Sequence, residues 1–215
     1  MGKIVLATII ISGSAKWLLN VDGNKEKWYG SDRIFMYVMT VFGAMTVNYS
    51  EQCTEYGWVV SNLRLLAGCL LAGGLLSAAY MDRRNCWVYN YVWWWCLPWA
   101  GILGMTAGGE FSGIVAVLVF VMLQQLLFSR MYGKADCHGF AVCALAECGN
   151  AVGMVGFLLQ MFLSVVLLTI VQLFRGNVTP RGRLREPQPF IPYIITAFFS
   201  VMFLESVFRT TYIYA

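Results

Sequence analysis

Uncharged apolar blocks of membrane-spanning length most constrain how this chain can fold. Residues 58–80 hold a single charged side chain, Arg64, and residues 86–106, 111–129 and 151–174 hold none. About 20 apolar residues wound as an α-helix match the ~30 Å hydrocarbon core of a bilayer. Charged residues make up 12% of the chain, half the ~25% of an ordinary soluble domain. Backbone amides in lipid must be satisfied within the spanning segment. The expected fold is therefore all-α, a polytopic transmembrane bundle of about seven to eight membrane helices whose partner is the lipid bilayer.

Charge in the connecting stretches sets the expected orientation. Lys25, Lys27 and Arg33 fall between the first two apolar segments, 4–21 and 34–50. Arg83 and Arg84, then Arg130 and Lys134, then Arg175, Arg181, Arg183 and Arg185 mark three further inner loops. Glu51, Glu55 and Glu110 lie in stretches without Lys or Arg, which suits the outer face. The net charge of +4 is thus a topology signal and implies no nucleic-acid partner. Residues 4–21 read as a first helix, an uncleaved anchor or a cleaved signal peptide. Glu147, Cys148, Gly149 and Asn150 read as a turn, after a short or tilted crossing over 137–149. Gly149 and Gly153 would allow close helix contact there.

Seven cysteines are present, at 53, 69, 86, 96, 137, 143 and 148, with no C-x-x-C pair. Zinc sites use closely spaced thiolates, so these read as small apolar residues and no metal is expected.

The polar run Arg130-Met131-Tyr132-Gly133-Lys134-Ala135-Asp136-Cys137-His138-Gly139 interrupts two apolar blocks and contains the single histidine. Topology needs its basic residues but not Asp136, and an ionisable group at a membrane segment is a functional candidate. Asp82 closes the 58–80 segment on the same expected side. Two carboxyls brought close cannot easily both ionise, so one keeps a proton. The ionised one can take a proton from water attacking a peptide carbonyl, while the other donates to the carbonyl oxygen or leaving amine. Such chemistry needs no cofactor. Gly133 and Ala135 are small enough to let a substrate strand approach Asp136. The competing reading pairs Asp82 with Arg83 or Arg84 as an ordinary loop residue.

Three segments resemble the type IV prepilin peptidases, and together they cover residues 70–205. Leu76–Arg84 followed by Val88-Tyr89-Asn90 is similar to that family's first aspartate motif, with Tyr89 where a proline is usual. Gly133-Lys134-Ala135-Asp136 resembles the second, GxGD, with Ala135 in the glycine position. Pro189-Phe190-Ile191-Pro192 resembles the Pro-Phe-x-Pro segment that opens the last helix. The resemblance implies a membrane aspartyl endopeptidase of the inner (cytoplasmic) membrane. It would act at the cytoplasmic face, cutting the leader from type IV pilin-like precursors. Asp82 and Asp136 would be catalytic, with Gly133, Lys134, Ala135 and His138 supporting them or contacting substrate. His138 stands where a lysine is common. Residues 1–57 would supply N-terminal membrane helices and 58–215 the peptidase domain. Bifunctional members carry a cysteine-paired cytoplasmic insert; residues 22–33 are too short for it, so no methyltransferase activity and no zinc are expected. Presenilin-type intramembrane proteases share only GxGD with this chain. A transporter binding protons or cations at the same aspartates, and an idle scaffold that retains both, are the remaining readings.

Overall fold

In the computed structural model, residues 2–21, 30–52, 57–106, 111–128, 133–148, 153–175 and 188–213 are described. Among them the chain is all helical, with no strand. The helices are α1 (Gly2–Asn20), α2 (Gly30–Gln52), α3 (Trp58–Asn85), α4 (Asn90–Thr106), α5 (Phe111–Leu123), α6 (Lys134–Glu147), α7 (Gly153–Phe174) and α8 (Ile191–Ile213). A π-helical turn, Gln124–Phe128, ends α5. Among the described residues, four helices are long and apolar enough to cross a membrane: α1, α3, α7 from Val155, and α8 as far as Phe208. Large apolar side chains such as Phe162, Leu118 and Val38 stand exposed on the outside, compatible with a membrane protein.

α3 is the central helix. It packs against α1, α2, α4 and α8, while α6 packs against α4, α5, α7 and α8. Small residues make this closeness possible: Gly68, Gly73 and Gly74 interrupt α3. A Cβ on Gly73 would overlap Ser14 Oγ of α1, and one on Gly68 would lie 2.7 Å from Val47 of α2. The first segment is a helix packed against α2 and α3. Its Ala7, Ile11, Ala15 and Leu18 face inward at helical spacing. Polar contacts tie it down further, since Tyr91 Oη donates to the Leu18 carbonyl at 3.0 Å.

Several sequence-based boundaries are corrected. α3 runs five residues past the expected end, so Met81–Asn85 are its last turn and not a loop. The helix stops because Cys86 adopts a left-handed conformation, φ 51°, with its N–H donating to the Asp82 carbonyl at 2.8 Å. Residues 86–89 are consequently outside α4. Glu147 is not a turn residue; it ends α6 and is 3% exposed. Arg64 is buried and bonded across helices. Its Nη1 donates to the Leu103 carbonyl and to Thr106 Oγ1 of α4, each at 3.0 Å. The expected turn at Gly149–Asn150, the Gly149 contact, Cys53, Arg130 and the arginines of 181–185 lie outside the described residues.

Candidate active site

Helix length places Asp82 at the rim of the bundle. Residues 65–81 carry no charged side chain, and as a helix they rise about 26 Å. This is close to the ~30 Å hydrocarbon thickness, and Arg64 and Asp82 stand at its opposite ends. Asp82 therefore lies just past the uncharged stretch of α3. Its side chain is 5% exposed all the same, because the start of α8 covers it.

That cover is also its hydrogen-bond partner. The backbone N–H of Ile191, the first residue of α8, donates to Asp82 Oδ2 at 2.9 Å. A second backbone interaction comes from Phe190. The first N–H groups of a helix have no partner within the helix, so an external carboxylate can accept from them. The alternative loop pairing is not what forms with Arg83. Arg83 Nε is 2.9 Å from Asp32 Oδ1 of α2, and its guanidinium lies over the Phe35 ring. Arg84 Nη1 meets Tyr80 Oη at 3.2 Å.

Asp136 is placed by its own helix. It is the third residue of α6, and its Oδ2 accepts the N–H of the N-cap Gly133 at 3.0 Å. The side chain turns back over the glycine: a Cβ there would sit 3.2 Å from that oxygen. The small residue expected at 133 thus lets the carboxyl fold over the helix start. His138 lies one turn further on, its Nδ1 2.6 Å from the Lys134 carbonyl. A carbonyl only accepts, so Nδ1 carries the hydrogen. The imidazole stacks on Trp93 of α4, with centroids 6.2 Å apart and planes at 20°.

Both aspartates line one cavity of about 1020 Å³, along with Gly133, Lys134, Ala135 and His138. All six sequence-derived candidates are thus brought to one place. The volume reaches the upper end for small-molecule pockets, enough for a segment of polypeptide. Its other walls are the Trp93, Trp94 and Leu97 face of α4, Leu168 of α7, and Phe190. α4 and α8 each pack against both aspartate-bearing helices and hold them around this space.

No protein-family model, curated protein or solved structure matches this chain. The chemistry of the site therefore rests on its geometry. Burial pushes the Asp82 carboxyl up to about 6, against the two backbone donors that favour its ionised form. Asp136 is pushed up to about 7, first by burial and then by the negative charge of Asp82, with the Gly133 N–H acting the other way. The charge of one carboxyl is felt at the other, so the two titrate as a linked pair. At neutral pH such a pair offers an acid and a base in one water-accessible space.

Sequence reasoning missed three contributors. Ile191 acts through its backbone, which leaves no side-chain signature, although the Pro-Phe-Ile-Pro run marked the segment. Asp32 ties Arg83 across helices, and Trp93 supports His138. Neither pairing has a sequence spacing that announces it.

Proposed function

We propose that this chain is a membrane aspartyl endopeptidase that removes the leader from type IV pilin-like precursors at the cytoplasmic face. The observation that carries this reading is the pair Asp82 and Asp136, far apart in sequence, lining one cavity at one end of a helical bundle. The ionised carboxyl takes a proton from water as the water oxygen attacks the scissile carbonyl carbon. The protonated carboxyl then supplies a hydrogen to the leaving amine as the C–N bond breaks. The apolar wall formed by Trp94, Leu97 and Leu168 suits a hydrophobic substrate segment, held while its polar leader stays at the rim. Arg83 and Arg84 directly follow Asp82, and Lys134 shares the first turn of α6 with Asp136, which supports a cytoplasmic placement.

In this reading seven to eight helices cross the bilayer. α6, with 14 residues, rises only about 21 Å. The part beyond Asp136 crosses, shielded by α4, α5, α7 and α8, so its shortness meets protein more than lipid. Lys134 and His138 contact substrate at the cavity mouth, and catalysis requires no cofactor.

The test is co-expression with candidate pilin-like precursors. Wild type shortens the precursor by its leader, whereas Asp82→Asn and Asp136→Asn leave it full length at equal expression. Cleavage that survives either substitution refutes the reading. Proton or cation flux that both substitutions abolish, with no cleavage by wild type, replaces it with transport.

A further inference from the structure

The two carboxyls are not equivalent, and the difference is built by α8. Within its own helix, Asp82 is badly placed to be charged. It sits in the last turn of α3, at the negative end of that helix's dipole, and is almost fully buried. Asp136 sits in the first turn of α6, at the positive end, and is less buried. Local structure alone would therefore leave the proton on Asp82. The contact from α8 acts in the opposite sense, because the Ile191 N–H meets Asp82 Oδ2 at 2.9 Å in a buried position. A backbone donor aimed at a carboxylate favours its ionised form.

Resting on the peptidase reading, we propose that the first turn of α8, through the Ile191 amide, is a positioning element that keeps Asp82 ionised. Asp82 is then the general base toward water, and Asp136 is the general acid that holds the shared proton. The titratable and charged groups around Asp82 fit this order. α3 contributes Cys86, Arg84 and Arg83, the last paired with Asp32 of α2. α6 contributes Asp136, Lys134 and His138; Arg175 follows the end of α7 and Tyr193 lies in the first turn of α8. α4 carries no charged residue.

The order has a signature that does not depend on cleavage. Carboxyl titration is followed by infrared spectroscopy on the full chain in detergent, with labelled aspartate. If Asp82 ionises first, its neighbour is neutral at that moment. Asp136→Asn then leaves the lower midpoint in place, whereas Asp82→Asn moves the remaining midpoint down from the wild-type upper value. The reverse pattern overturns the proposal.

Ile191→Pro tests the amide itself. It deletes the donor at a first-turn position where proline is otherwise favoured. In the Asp136→Asn background it raises the Asp82 midpoint by about one pH unit or more. Ile191→Val, which trims the side chain and keeps the N–H, leaves that midpoint unchanged. Equal midpoints for the two variants overturn the proposal. Should Ile191→Pro not fold, the asymmetry between the two single Asn variants still decides it. Failure of leader cleavage with the titration order intact rejects the peptidase reading and not the assignment.

Discussion

Gly104 gives the most direct test of how α4 and α6 are held around the cavity. A Cβ at this position would overlap the Leu145 carbonyl oxygen and lie 2.7 Å from Cys148 Sγ. The first obstacle is backbone, so a rotamer change cannot relieve it, and the helices must separate. Overpacking of this kind costs about 1–3 kcal/mol. Alanine's better helix propensity returns at most about 1 kcal/mol. Gly104→Ala therefore loses up to about 2 kcal/mol net, which for a chain of this size is up to roughly 8 °C of unfolding midpoint. Gly101, one turn earlier on the same helix, has no atom within 4 Å of its would-be Cβ. Gly101→Ala should be neutral or stabilising by up to about 1 kcal/mol. Thermal unfolding in detergent, read by the eight tryptophans, compares the two. Equal midpoints for both variants would show that α4 and α6 do not meet as described.

Two further outcomes follow from other parts of the bundle. Arg64→Met removes the donor to the Leu103 carbonyl and Thr106 Oγ1, and should lower stability by about 1–3 kcal/mol, measured by the same unfolding assay. The second concerns pH. Asp136 has a higher pKa folded, about 7, than its ordinary value of 3.8. Stability linked to holding its proton is complete below the ordinary value and is lost as pH rises through the folded one. Asp136→Asn should therefore be more stable than wild type at about pH 8 and gain nothing at about pH 4. An advantage that stays constant across that range would contradict the linkage.

Residue pattern alone carried far in this chain. The uncharged blocks required helices, because a backbone in lipid has no other partner for its amides. Their ends, and the charges at those ends, picked out Asp82 and Asp136 before any packing was known. Gly133 and Ala135 were picked out for the approach of a substrate strand, whereas in the fold Gly133 leaves room for the Asp136 carboxyl over the helix start. What was not legible came from contacts between distant segments. α3 looked finished at residue 80 because a charged run reads as a loop, yet α8 covers Asp82 and lets the helix continue to Asn85. Arg64 found its acceptors on α4, and Arg83 its partner on α2, across separations that no spacing rule encodes.

Sequence by itself thus determined that the chain is helical and which carboxyls stand at its segment ends, since both follow from the cost of charge and open backbone in an apolar medium. Only the tertiary structure decided that those carboxyls share a cavity and that they differ. A carboxyl's environment is set by whichever backbone donors reach it, and for Asp82 they arrive from Phe190 and Ile191, at the far end of the chain.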